Sequence, residues 1–313
     1  MSSYSEVSAR LNAIPAPVQG ALLMTGAAFC FSVMNVLIRM AAEEIEPAEI
    51  AFFRNLFALL FLLPLVARHG FAELRTRHLG LHVVRSIIGL AAMLCWFTSV
   101  ARLPLAEAVA LNFTVPLFAT AGAAIFLGEI VRARRWSATI VGFLGVLIIL
   151  RPGFTEITLT MSLPIIAAAF MAISVVLVKM LSRDEPVASI VLYMNLLLTP
   201  LSLGPALLVW RWPSLTVLGI LAVIGAMAAV AHLMLTRAFT KADASAVTPF
   251  DYARLPFVAA IAFFVFGEAP DLWTWVGAAV IAGSAIYIAR REAQVARERT
   301  ASRAAGESAR GRV

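Results

Sequence analysis

Asp251 and Arg254 lie three residues apart in the run ASAVTPFDYARLPFVAAIAFFVFGE, residues 244–268, which is otherwise apolar enough to enter a bilayer. A carboxylate and a guanidinium at i and i+3 share a helix face and can neutralise each other. They can also separate, the carboxylate to hold a cationic group and the guanidinium a carboxylate or phosphate. Counted from the polar end at Lys241–Asp243, Asp251 is about 12–15 Å deep at about 1.5 Å per residue. That is near the middle of a hydrocarbon core about 30 Å thick. Ionised groups at that depth face the protein interior and mark functional sites, unless the pair only cements helix packing. Pro249 and Pro256 bracket the pair, and each removes a backbone hydrogen bond and kinks a helix. Broken backbone at membrane depth survives only where it faces protein or a wet cavity.

A second stretch has the same design. Residues 106–129 read AEAVALNFTVPLFATAGAAIFLGE. Aligning Gly128–Glu129 with Gly267–Glu268 sets Asn112 opposite Asp251 and Phe113 opposite Tyr252, each polar residue sixteen positions before its Gly-Glu. Pro116 falls beside Leu255, one position from Pro256. Two kinked helices, one per half, are the paired elements expected of a transporter site. Glu129 and Glu268 close these helices. A carboxylate at a helix C-terminus opposes the dipole, so each is expected to have a partner, as a structural or gating contact.

Other residues could line such a site. Trp96, in AMLCWFTS, is away from the interfaces where Trp collects and could stack on a flat ligand. Thr98 and Ser99 beside it can equally bond their own helix. Asn35, in FSVMNVLIR, could reach substrate or bond a neighbouring helix. His232 is the one histidine deep in an apolar run, either a neutral packed ring or a proton relay. Arg54 and Arg85 are the other deep charges. Arg85 could snorkel or hold a lipid headgroup, and Arg54 reads as bonding helix-end carbonyls.

These residues are set in a very apolar chain. It has 313 residues, 61% hydrophobic and 14% charged, with mean hydropathy +0.91. Soluble domains carry about a quarter charged residues. The apolar residues come in runs long enough to span a bilayer, which excludes an ordinary soluble protein. Cys30 and Cys95 both fall inside such runs and suggest neither a disulfide framework nor a metal site. No HExxH, CxxC, GxSxG, P-loop or GxGxxG motif occurs. No cofactor is expected. The Arg-rich tail interleaves acidic residues and lacks aromatics, which fits a solvated segment near anionic lipid and no nucleic-acid partner. The first seventeen residues lack the basic start and cleavage site of a signal peptide, so the first apolar run is expected to stay as a membrane helix.

Ten apolar segments position these groups: 18–40, 47–66, 79–101, 105–127, 137–150, 159–180, 187–210, 214–239, 244–266 and 272–289. Lys and Arg cluster in alternate connections, at 68–77, 132–135, 179–183 and 237–241 and in the tail, while Glu43, Glu44, Glu46 and Asp271 lie on the other side. The positive-inside rule then makes both termini cytoplasmic. The chain also repeats: Glu46-Pro47 and IAFFRN (50–55) match Glu185-Pro186 and IVLYMN (190–195), and Arg39-Met40 matches Lys179-Met180. The period is about 140 residues, or five helices. An odd number of helices per repeat inverts the second half, which gives a site that can open to either side.

Two five-helix repeats, each with a terminal Gly-Glu followed by a Gly-rich helix (Gly142, Gly145; Gly277, Gly283), resemble the drug/metabolite transporter superfamily. ARLPLAEAVALNFTVPLF and TPFDYARLPF look like its EamA-type members, and the resemblance spans about residues 19–291. It implies ten helices around a cavity lined by the first, third, fourth, sixth, eighth and ninth. Members carry amino acids, vitamins such as riboflavin, nucleotide-like metabolites or drugs.

The expected fold is an all-α membrane protein, ten transmembrane helices in two inverted five-helix repeats. The expected parts are a cytoplasmic segment 1–17, repeats 18–153 and 158–289, and a basic cytoplasmic tail 290–313. The expected function is bacterial inner-membrane secondary transport of a small organic metabolite by alternating access, in a monomer or homodimer with lipid around it. The expected substrate-binding residues are Asn35, Trp96, Asn112, Phe113, Asp251, Tyr252 and Arg254, with Asp251 and His232 for proton coupling and Glu129, Glu268, Pro116 and Pro256 for structure or gating. The rival readings are an intramembrane enzyme acting on lipids or lipid-linked sugars, with Asp251, His232 and Arg85 recruited, and a receptor or scaffold that binds without flux.

Overall fold

The computed structural model describes residues 16–69, 76, 78–115, 117–118, 133–151, 158–181, 185, 187–241, 248–284, 286–287 and 290. Among these the chain is helical and contains no β-strand. The α-helices are α1 (Ala16–Ala41), α2 (Pro47–His69), α3 (Leu79–Arg102), α4 (Leu105–Asn112), α5 (Ala133–Leu150), α6 (Leu159–Leu181), α7 (Val187–Leu207), α8 (Leu215–Lys241), α9 (Arg254–Phe266) and α10 (Leu272–Ser284). A 3₁₀ segment, Thr248–Ala253, leads into α9. Five described helices are long and apolar enough to cross a membrane, in α1, α3, α6, α7 and α8. Their outward faces are apolar, with Leu22, Phe29, Ile87, Ile166, Leu196 and Val223 exposed. In water such a surface would be a liability, and against lipid chains it is the matched one.

The helices pack in pairs that map onto one another when the halves are exchanged. The contact of α1 with α8 has its counterpart in α6 with α3, α2 with α8 in α7 with α3, and α1 with α9 in α6 with α4. The pairs α2–α7 and α4–α9 are their own counterparts, and their members meet each other. So do α5 and α10, which cross through glycine. A Cβ on Gly145 would come within 2.9 Å of the Gly277 carbonyl oxygen, and one on Gly277 within 2.6 Å of the Gly145 carbonyl oxygen. Only bare backbone lets the two helices approach so closely.

Carboxylates stitch the connections at one face of the bundle, the face of the 42–46 turn. Glu49 accepts from the backbone N–H of Arg211 at 2.7 Å and of Glu46 at 3.1 Å. Glu44 accepts from the Ser214 hydroxyl at 2.8 Å and from its N–H. Asp271 caps α10 through the Thr274 N–H at 2.8 Å and pairs with Arg151 at 2.6 Å. Each satisfies donors that a helix start leaves open. Trp212, Trp273 and Trp275 are exposed on the same side, where an aromatic belt would meet the lipid headgroups.

The opposite face has one tight clamp. His82 Nε2 lies 2.6 Å from a Glu185 oxygen, and Thr76 donates to the other oxygen of the same carboxylate. The His82 ring stacks on Tyr193, centroids 4.7 Å apart. Burial works to raise the Glu185 pKa, but donation from Thr76 and His82, with His78 also near, outweighs it and holds the carboxyl below its ordinary range. A carboxyl depressed in the folded state stabilises above its unfolded pKa and loses that contribution as pH falls through the folded value. The melting temperature is therefore expected to fall on acidification below about pH 5, and Glu185→Gln to flatten that part of the profile while lowering the plateau at pH 7.

At the α5–α10 crossing, Gly277→Leu is expected to force the helices apart. Overpacking of this kind costs about 1–3 kcal/mol, which thermal unfolding in detergent would register as a melting temperature several degrees lower.

Candidate functional site

Two predicted helices are interrupted within their apolar runs. The fourth was expected over 105–127; α4 ends at Asn112 and Phe113–Thr114 form a turn, after which 115 and 117–118 are again helical and residues 119–127 lie outside the described residues. The turn satisfies itself: Phe113 N–H donates to Val109 at 3.2 Å and the Thr114 hydroxyl to the Leu111 carbonyl at 2.8 Å. The ninth was expected as one kinked helix over 244–266 and is instead a 3₁₀ segment followed by α9. Pro256 sits in the first turn of α9, where its missing N–H is no loss, so the α-helix starts at Arg254 rather than running through. Pro116 and Glu129 lie outside the described residues.

The break places the charged pair at the junction. Arg254 Nη2 is 2.5 Å from Asp251 Oδ1, with side chains 18% and 30% exposed respectively. The Arg254 guanidinium lies over the Phe31 ring of α1 at 4.8 Å, a contact worth about 2 kcal/mol when desolvated. The Ser32 hydroxyl of α1 donates to the Arg254 carbonyl at 3.1 Å. The other edge of Phe31 meets His232 of α8, centroids 5.5 Å apart. His232 Nε2 is 3.1 Å from Arg54 Nη2 of α2. A guanidinium only donates, so Nε2 accepts and the ring is neutral with its proton on Nδ1. Arg54 thus bonds side chains, His232 and Asn55, in place of the helix-end carbonyls expected of it.

The repeat-matched aromatics touch. Phe113 and Tyr252 meet edge to face with centroids 4.7 Å apart, where α4 and the 3₁₀ segment come together. The Tyr252 hydroxyl is buried without a partner. Asn112 is held weakly, its amide 3.5 Å from the Pro164 carbonyl and 3.6 Å from Met171 sulfur of α6. Asn35 is 1% exposed and neither of its amide atoms has a partner. Trp96 is buried in the same core cluster as Phe113. Asp251, Arg254, Tyr252 and Phe113 thus form one contiguous group, with Asn112 turned toward α6. Unpartnered polar groups in such a core are costly, and a polar solute arriving there would satisfy them.

Sequence reasoning named Asn35 of α1 but missed Ser32 and Arg39 on the same helix. Ser32, Asn35 and Arg39 follow at i, i+3 and i+7, one stripe of the helix. Arg39 pairs with Glu268 at 2.6 Å, donates to the Leu103 carbonyl at 2.9 Å and lies 5.0 Å from the Phe266 ring. Glu268 also accepts from Leu105 N–H at 3.1 Å, which caps α4. Gly267, in the left-handed region at φ 71°, ends α9 and turns Glu268 back toward these partners. One carboxylate thereby ties α1, the α3–α4 connection and the end of α9 together at the face of the 42–46 turn.

A helical chain with an apolar exterior, two similar halves and its buried charges gathered at their junction is a polytopic membrane carrier. It belongs to the EamA-like transporter family, whose model matches residues 18–151 and again residues 158–290. The chain is 37% identical over 282 residues to a riboflavin transporter of Brucella anthropi, covering 88% of this chain and 99% of that one. A riboflavin transporter of Vibrio cholerae is 35% identical over 90% of this chain and 96% of its own length. An S-adenosylmethionine uptake transporter of Rickettsia bellii is 30% identical over 82% and 88%. A solved crystal structure at 16% identity superposes with a TM-score of 0.63 over 87% of this chain and 98% of that one, which shows a shared fold.

The pair geometry sets an order of stabilities. Asp251→Ala strands Arg254 against Phe31, and breaking a buried pair costs about 3–5 kcal/mol. With both side chains partly exposed the loss is expected at or below the lower end. Asp251→Asn with Arg254→Gln removes both charges and is expected to melt higher than Asp251→Ala. A double variant that melts lower would show that each residue stabilises the fold independently.

Proposed function

We propose that this chain is a secondary transporter of the bacterial inner membrane that carries a flat, polar heteroaromatic metabolite, with riboflavin as the leading substrate. The observation that carries this reading is the similarity, over nearly the whole length of both proteins, to riboflavin transporters. The site supports it. Phe113, Tyr252 and Trp96 supply aromatic surface for a ring system, and Asn35, Asn112 and the Tyr252 hydroxyl supply hydrogen bonds with weak or absent partners. Ten spans, an inverted relation of the halves and cytoplasmic termini belong to the same proposal. They are supported by the exchange-matched helix contacts and by the clustering of basic residues. On that orientation the face of the 42–46 turn is the outer one, and the Arg39–Glu268 contact is its latch. Alternating access would release this latch as the α4 and 3₁₀–α9 junctions pivot about the Phe113–Tyr252 contact. His232 already accepts from Arg54, so carrying a proton would require Arg54 to move away. That leaves Asp251 as the simpler proton acceptor.

The test is uptake by purified protein in proteoliposomes offered riboflavin, S-adenosylmethionine and amino acids together, read by mass spectrometry. Riboflavin is expected to accumulate above protein-free vesicles. Accumulation of S-adenosylmethionine alone would replace the substrate, and cooperative folding without any flux would leave a receptor or scaffold. Conversion of a lipid by the protein in detergent would favour the enzyme reading. Asp251→Asn with Arg254→Gln is expected to insert and melt normally but to lose uptake by about tenfold or more, the loss of one good charge-assisted contact.

A further inference from the structure

Among the described residues, two guanidinium groups lie inside the bundle without a carboxylate partner. Arg54 on α2 is 4% exposed and Arg85 on α3 is 9% exposed. Arg54 donates to Asn55 Oδ1 at 2.7 Å and faces His232, while its Nε has no partner. Arg85 makes one contact, from Nη2 to Met194 sulfur of α7 at 3.4 Å, and its Nε and Nη1 have none. All of these partners are neutral, and a thioether is a poor acceptor. Two described carboxylates of the neighbouring elements are already engaged. Glu49, five residues before Arg54 on α2, is committed to the N–H groups of Glu46 and Arg211. Asp251 is held by Arg254. The His232 ring is within electrostatic reach of Arg54, Arg85 and Arg254 together. Among the described residues, this region therefore gathers three guanidinium groups and the Asp251 carboxylate about a neutral ring.

An unpaired buried charge is strongly destabilising, and breaking a buried pair is damaging for that reason. Both arginines also keep unused donors, so a hydrogen-bonding counter-ion is the missing component. We propose that Arg54 and Arg85 form a binding site for a compact anion among α2, α3, α7 and α8, separate from the Asp251–Arg254 pair. Guanidinium groups match carboxylate and phosphate oxygens best and also hold halides. The anion is either a free ion such as chloride or phosphate, or the anionic group of a solute or lipid headgroup. Riboflavin has no such group at neutral pH, so during its transport the site would take a co-ion. The site stands on its own geometry and does not depend on which solute is carried.

Delipidated full-length protein in an uncharged detergent is melted in a bulky sulfonate buffer, alone and with chloride, acetate or inorganic phosphate at equal ionic strength. At least one compact anion is expected to raise Tm by about 3–5 °C in a saturable way, as a ligand of the folded state does. Arg85→Gln is the informative variant, because it gives up only the sulfur contact. It is expected to melt at or above the native chain in sulfonate buffer and to lose most of the anion-dependent rise. Should that variant fail to fold, Arg85→Lys, which keeps the charge, is expected to retain part of the rise. Adding back phosphatidylglycerol separates the sources, since a rise with that lipid and none with free ions assigns the site to a headgroup. A native chain whose Tm responds to no anion and no lipid overturns the proposal, and so does an unchanged rise in Arg85→Gln. Riboflavin uptake measured in parallel keeps the readings apart. Uptake without anion-dependent melting removes this site alone, and anion-dependent melting without uptake removes only the substrate assignment.

Discussion

A charge in the membrane interior must have a partner, and the central part of this structure is arranged around that requirement. Asp251 and Arg254 meet at 2.5 Å where the 3₁₀ segment gives way to α9. The guanidinium is then covered by the Phe31 ring, and the backbone at the junction is tied to α1 by Ser32. Charge pairing, ring contact and the break in the helix occur at one point. A continuous helix would put every backbone group inside its own ladder. The junction at Arg254 leaves a carbonyl that α1 can bind, so α1 must pack there. From α1 the chain of contacts runs through Phe31 to His232 and Arg54, and from Asn55 to Ser202 on α7. Elements of both halves are linked through this series of polar and aromatic groups, in a region where apolar packing alone would not distinguish one helix pairing from another.

The exchange-matched contacts add a second constraint. Because α2–α7, α4–α9 and α5–α10 each map onto themselves when the halves are exchanged, each of these pairs straddles the line that would relate the halves. Phe113 and Tyr252 occupy matched positions and touch each other. A contact on such a line can keep its partners while the halves rock, because both sides move equally about it. The contacts away from the line have no such freedom. The Arg39–Glu268 pair is at a face, belongs to both halves and has to break if that face opens.

How much of this could be read in the sequence follows from the separation of the partners along the chain. The Asp251–Arg254 pair was legible because i,i+3 spacing in an apolar run leaves few other arrangements. The register fixed by the two Gly-Glu pairs matched Phe113 with Tyr252 as repeat equivalents, but that the two rings touch came only with the structure. The repeat itself was legible because Glu-Pro and Arg/Lys-Met recur at one offset. The ends of α4 and the start of α9 were not, because hydropathy does not distinguish an α-helix from a turn or a 3₁₀ segment of the same composition. Prolines at 116 and 256 gave a location for the strain but not its form. Arg39 and Glu268 are 229 residues apart, and His82 and Glu185 are 103 apart. His82 stands near the start of α3, and nothing local in the sequence singles it out. The Arg54 contact with His232 was hidden for the same reason, because the two are 178 residues apart and meet only once α8 has packed on α2.

The strengths of the ion pairs also differ in a way that suits a carrier. Arg39 and Glu268 are 23% and 24% exposed, and Arg151 and Asp271 are 34% and 41% exposed. Pairs this open to solvent are worth at most about 1 kcal/mol, which is of the order of the difference tolerable between two states that must interconvert. Burial works against ionisation of Asp271, yet donation from Thr274 and the nearby Arg151 outweigh it, and the carboxyl is held below its usual range. It stays charged at neutral pH, and Arg151 can leave it without stranding a buried ion because water reaches both groups. Arg254 is different. It is the less exposed member of its pair, with a ring over its charge, so separating it from Asp251 requires another group to take the place of the carboxylate. Under the proposed alternating access, a face latch that opens into water and a central pair that opens only toward a replacement would make entry inexpensive and commitment conditional on the solute.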